Sequence, residues 1–123
     1  MTSQLIRSVL NNLQKTFEII AQQEFVGQEL DDLEKLLTSK GKDYSGQEST
    51  FKSFYRQAEI TGFSVHNVFM LLIGLKISRL INLYETLEEP QFESVEDSWR
   101  DLAGYIVLYL SWRRFIREQD LEK

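Results

Sequence analysis

The sequence predicts an all-α fold: a helical bundle with a four-helix core and one extra helix at the N-terminus. Three observations predict it. The chain has one proline and six glycines in 123 residues, too few breakers for many short strands. Apolar residues recur at steps of three and four over long stretches, and no stretch alternates with period two for long enough to make a strand. Hydrophobic residues make up 42% of the chain, enough at this length for one domain with a core. Helix packed on helix is the layer arrangement such a chain can form.

Taken in order, Ser3 to about Gln23 reads as an amphipathic helix. Leu5, Ile6, Val9, Leu10, Leu13, Phe17 and Ile20 form its apolar stripe, which suits either a helix packed on the bundle or a dimerisation helix. Glu24 to Gln28 reads as a break centred on Gly27. A second helix follows from about Glu29 to Lys40, with Leu30, Leu33, Leu36 and Leu37 facing inward and Gly41 as its stop. Lys42 to Thr50 is polar and reads as a loop. A short helix runs from Phe51 to about Ile60, with Phe51, Phe54, Tyr55 and Ala58 inward, and Thr61-Gly62 ends it. Ser64 caps a long helix from Val65 to about Glu85, whose continuous apolar run Val68–Leu75 predicts a central helix covered on most sides. Glu88 to Phe92, with Pro90, is a loop.

Ser94 is the expected N-cap of the last helix, with Asp97 completing a capping-box-like pattern. That helix runs from Val95 to about Glu118, and the tail beyond it is expected to fray. Val95, Trp99, Leu102, Ile106 and Leu110 form one stripe, the expected core face. Asp97, Asp101, Leu108 and Trp112 form a second. The domain plan is an N-terminal amphipathic helix over residues 1–26, an all-α domain over 27–118 and a tail over 119–123.

Charge and composition exclude several functions. The net charge is −5 and there is no basic cluster beyond Arg113-Arg114, so binding to duplex nucleic acid is not expected. The absence of cysteine excludes disulfides and thiolate-bound zinc. With one histidine, a histidine-built metal site or Cys–His nucleophile is excluded as well. The N-terminus lacks the layout of a signal peptide, and Val68–Leu75 falls far short of the ~20 residues that cross a bilayer. These features point to a cytoplasmic protein with no membrane partner.

The polar residues that could carry chemistry are few. Asp97 and Asp101 lie one turn apart on one helix, where like charges cost ~0.2–0.5 kcal/mol unless something offsets them. A magnesium ion shared with substrate phosphates would do so, as would a helix cap at Asp97 and a cationic partner at Asp101. Lys76 and Arg79 share a face of the long helix. They suit phosphate, arginine through its fork and lysine as a point charge, or pairing with Asp97 and Asp101 across the helix interface. Lys42, Asp43 and Tyr44 lie in the polar stretch before the short helix, where turn chemistry is the alternative. His66 reads as a surface or boundary residue.

Three segments in order, KGKDYSG, LKISRL and ESVEDSWRDLAGY, resemble the nucleotide-modification-associated domain family. These are small all-helical proteins common in phages and similar to MazG-like nucleotide pyrophosphatases. The resemblance covers roughly Leu30 to Trp112. It implies a MazG-like bundle, and it matches Asp97 and Asp101 to an acidic helix motif, Asp43 and Tyr44 to a loop motif, and Lys76 and Arg79 to a basic helix motif. The implied metal ligands are Asp97, Asp101, Asp43 and Glu96, holding Mg²⁺. Lys76, Arg79, Lys42 and Tyr44 would bind a dNTP-like nucleotide. MazG-type enzymes face a Glu-x-x-Glu pair with a Glu-x-x-Asp pair; here the long helix carries Lys76 and Arg79 instead. The resemblance therefore implies a protein of nucleotide metabolism that is either a Mg²⁺-dependent NTP diphosphohydrolase or a nucleotide binder. It also implies a homo-oligomer, in the host cytoplasm if phage-encoded. The alternative from another class is a non-catalytic helical adaptor.

Overall fold

The computed structural model describes the backbone of residues 2–45, 51–86 and 92–122 and the side chains of 2–39, 51–86 and 95–120. The chain is all-α, with helices α1 (Thr2–Ser45), α2 (Phe51–Thr61), α3 (Val65–Thr86) and α4 (Phe92–Glu122), and no strand among the described residues. It divides into two compact units, Met1–Lys35 and Leu36–Lys123.

The first unit lies within α1. This helix runs unbroken through Gly27 and Gly41, so neither the break expected at Glu24–Gln28 nor the stop at Gly41 is present, and Lys42 to Ser45 are helical instead of looped. An interior glycine weakens a helix by only ~1 kcal/mol relative to alanine, and good helix formers on both sides outweigh that. The stripe Leu5, Ile6, Val9, Leu10, Leu13, Phe17 and Ile20 is exposed throughout, and so is Leu30. Leu33, Leu36 and Leu37 are half-buried.

In the second unit the buried residues come from α2, α3 and α4. Phe54 of α2 stacks on the fully buried Phe69 of α3, with ring centroids 4.2 Å apart. Tyr105, Tyr109 and Trp112 of α4 close around that pair. Leu80 of α3 and Leu102 of α4 are also buried. Contacts join 66 to 109, 76 to 101 and 84 to 99, so α3 and α4 are antiparallel.

The turn between α2 and α3 follows local chemistry. Gly62 adopts φ 75°, and its N–H donates to the Ala58 carbonyl at 2.9 Å, an αL stop that glycine makes without strain. Ser64 then caps α3: its Oγ accepts from the N–H of Asn67 at 3.1 Å.

Two expectations about burial change. The inward face of α4 is the stripe containing Ser98, Asp101, Tyr105, Leu108 and Trp112, whereas Trp99, Ile106 and Leu110 of the expected core stripe are exposed. Leu102 is buried as expected. The inner stripe wins because it carries more area per residue: aromatic side chains bury 150–250 Å² each. Likewise α3 packs against α2 and α4 through adjoining faces and is open on the rest of its surface, with Met70, Leu71, Leu75, Ile77 and Ile81 exposed. By length and composition alone Val65–Thr86 is long and apolar enough to cross a membrane, unlike the shorter run read from the sequence. Helix α4 begins at Phe92, so Ser94 lies inside it and is not its N-cap, and the helix continues past Glu118 to Glu122.

Candidate functional site

The second and third motif segments meet where α3 crosses α4. Lys76 follows directly on the apolar run of α3, so its stem packs against the core while its ammonium reaches the edge. Asp101 stands on the inward stripe of α4. Lys76 Nζ donates to Asp101 Oδ2 at 3.2 Å, and the two side chains are 22% and 23% exposed. The pair is thus half-buried, where charge interactions are stronger than on an open surface.

The other expected partners do not join it. Asp97 is 73% exposed and lies 3.9 Å from Arg100, three residues along its own helix. Glu96 accepts from Arg100 at 3.3 Å. Arg79 is exposed and makes no ion pair among the described residues. The expected confrontation of Asp97 and Asp101 with Lys76 and Arg79 therefore reduces to Lys76 with Asp101. Lys42, Asp43 and Tyr44 have helical backbone, and their side chains lie outside the described ones.

Among the described residues no three His, Asp or Glu side chains converge. Asp101 is held to Lys76, and Asp97 and Glu96 are held to Arg100. These residues alone do not fit a metal centre built by protein carboxylates.

A second polar group lies on the same helix pair, ten residues from Lys76 along α3. His66 Nδ1 is 2.7 Å from Tyr109 Oη, Arg113 Nη1 donates to that hydroxyl at 3.4 Å, and the Arg113 guanidinium lies 5.9 Å from the centre of the Tyr109 ring. His66 is a satisfied surface residue, as its position suggested. Its link to Tyr109 spans 43 positions and had no signal in the sequence. At the other end of the pair, Trp99 Nε1 donates to Tyr84 Oη at 3.1 Å. Trp112 Nε1 is buried without a hydrogen-bond partner.

Compared with family models, curated proteins and solved structures, the chain gives no match.

Proposed function

We propose that the chain is a nucleotide-binding or nucleotide-processing protein, with the α3–α4 crossing at Lys76 and Asp101 as its phosphate-facing site. One observation carries this reading: the Lys-x-x-Arg-Leu segment and the acidic Glu-Asp-Ser-Trp-Arg-Asp segment, far apart in sequence, contact each other through Lys76 and Asp101. Lys76, with one of its three donors on Asp101, offers the other two to a phosphate at the solvent edge of the pair. Arg79, exposed one turn on, adds a second cation within reach of a polyphosphate. The resemblance to the nucleotide-modification-associated family supplies the substrate class, a dNTP-like nucleotide, and a cytoplasmic setting. Mg²⁺ belongs to this reading as the nucleotide's counter-ion, with Asp101, beside Lys76, as the carboxylate that would meet it. No catalytic step is assigned to these residues.

A second reading is favoured by a different observation. The apolar stripe of α1 is exposed, which suits a non-catalytic helical interaction module. Thermal melts with a panel of canonical and modified dNTPs, with and without Mg²⁺, separate the two. The nucleotide reading expects a rise in melting temperature for at least one dNTP, lost in Lys76→Met. Pyrophosphate release in the same samples then distinguishes an enzyme from a binder. A wild-type protein that no nucleotide stabilises leaves the interaction module as the better account.

A further inference from the structure

The group formed by His66, Tyr109 and Arg113 takes no part in the contact of Lys76 with Asp101, and its chemistry is that of an anion receptor. Tyr109 fixes it. The Tyr109 ring packs against Phe69 and Trp112, with centroids 5.4 and 6.2 Å away, and the His66 ring stands against it at 5.5 Å. Its hydroxyl then meets a side chain on either hand, His66 Nδ1 at 2.7 Å and Arg113 Nη1 at 3.4 Å. A guanidinium only donates, so the hydroxyl oxygen accepts from Arg113 and its own proton goes to His66 Nδ1. This network assigns the proton of a neutral His66 to Nε2. The group is left with the imidazole N–H and the unused guanidinium N–H groups, all of them donors. Charge points the same way. Neither Arg113 nor Arg117, exposed one turn on, makes an ion pair among the described residues. No Asp or Glu stands three or four residues from Arg113 or from His66. Like charges one turn apart repel, and an anion between them removes that cost. With Arg114, residues 113–117 are the densest run of cations in a chain of net charge −5, so an anion meets least repulsion here.

We propose that His66, Arg113 and Arg117 bind the phosphate group of a small phosphate monoester, with Tyr109 positioning the first two. The free guanidinium edge of Arg113 matches two phosphate oxygens. The Nε2–H of His66 supplies a further hydrogen bond, and Arg117 adds charge from the solvent side. Tyr109 contributes no charge. It holds imidazole and guanidinium to one oxygen, so little side-chain freedom is lost when the anion arrives. Its ring also lies within cation–π reach of Arg113, at 5.9 Å. Phosphate is chosen over carboxylate because donors come from three side chains, and a carboxylate has too few oxygens to meet them all. His66 lies ten residues along α3 from Lys76, ~15 Å by helical rise, so the two sites are separate and this one stands without the nucleotide reading.

Histidine occurs once in the chain, so the imidazole NMR signals of His66 report on the site directly. Titration of the full chain with inorganic phosphate, and with phenyl phosphate as a monoester, should move those signals to saturation at constant ionic strength. Chloride should leave them in place, and acetate should bind more weakly than either phosphate. Arg113→Gln should weaken phosphate by at least ~10-fold, as loss of charge-assisted hydrogen bonds does. Tyr109→Phe keeps the ring and both cations and removes only the hydroxyl; it should weaken phosphate by about 5-fold with helical content unchanged. Arg117→Gln, at an exposed side chain, should weaken it by about 3-fold, and this variant with the wild-type titration decides the matter if the others misfold. Lys76→Met should leave the affinity within about 2-fold, as a distant site does. No saturable movement with either phosphate, or equal movement with chloride, overturns the proposal. So does saturable binding that neither arginine variant weakens. Acetate binding as tightly as phosphate overturns the ligand class, and loss of binding in Lys76→Met overturns the location by giving the anion to the Lys76 site.

Discussion

The two long faces of α4 have nearly the same count of apolar residues and opposite fates. One carries Tyr105, Leu108 and Trp112 with Ser98 and Asp101 among them, and it is the inward face. The other carries Trp99, Ile106 and Leu110, with less polar interruption, and it faces out. A face is chosen for burial by how much area it contributes and whether its polar groups find partners. Asp101 finds Lys76 and Tyr109 finds His66. An aspartate on the inward face is therefore compatible with burial once a lysine on α3 meets it, and the cleaner stripe is left for other contacts.

The largest test of this contrast is Phe69→Ala. Phe69 is fully buried, stacked on Phe54 and in contact with Tyr109 and Trp112. Its truncation should cost roughly 3–5 kcal/mol in chemical denaturation. The matched pair on α4 is sharper. Leu102→Ala, at 8% exposure, should cost roughly 2–5 kcal/mol at any protein concentration. Ile106→Ala, one turn on and exposed, should cost under about 1 kcal/mol in dilute protein. Equal losses at both positions, at high dilution, would erase the distinction between the buried and the exposed side of this stripe.

The next largest effect concerns Lys76 and Asp101. Asp101→Asn leaves a half-buried ammonium without its carboxylate. At 22% and 23% exposure the cost should fall between the surface and buried limits, about 1–3 kcal/mol. Lys76→Met added to it should recover much of that loss. Full additivity of the two changes would show that the contact contributes nothing. The ligand melts read the same variants: a pair that only holds helices together is restored in stability by the double change and gains no nucleotide response in any background.

Much of this was legible in the sequence. The all-α class, α2, the cap at Ser64, the stop at Gly62 and the approach of Lys76 to Asp101 follow from periodicity, local capping chemistry and the wish of each half-buried charge for an opposite one. What was not legible has physical causes. Apolar periodicity gives the faces of a helix but not their order of preference, which depends on shape and area in three dimensions, so Trp99 was assigned inward. The positions of Arg79 and Asp97 depend on side-chain direction by a fraction of a turn, and each proved to lie beyond the pair. The link from His66 to Tyr109 is set by the crossing of α3 and α4, which no local pattern encodes. The continuity of α1 turned on Gly27, read as a breaker because glycine so often is one.

That last point gives the smallest and cleanest effect. Glycine has two different uses here. Gly62 sits at φ 75°, where a Cβ is strained, so Gly62→Ala should destabilise by roughly 1 kcal/mol. Gly27 lies inside α1, with no positive φ and nothing within 4 Å of an added Cβ. Alanine there adopts the same backbone without strain and removes conformational freedom from the unfolded chain. Gly27→Ala should therefore stabilise α1 by about 0.4–1 kcal/mol, seen as higher helical ellipticity and slower amide exchange around Phe25 to Glu29. Were residues 24–28 a turn that needs glycine, the sign would reverse and the same substitution would lower both. The opposite signs expected at Gly62 and Gly27 make the comparison internal to one protein, so a general effect of alanine on expression or solubility cannot imitate it.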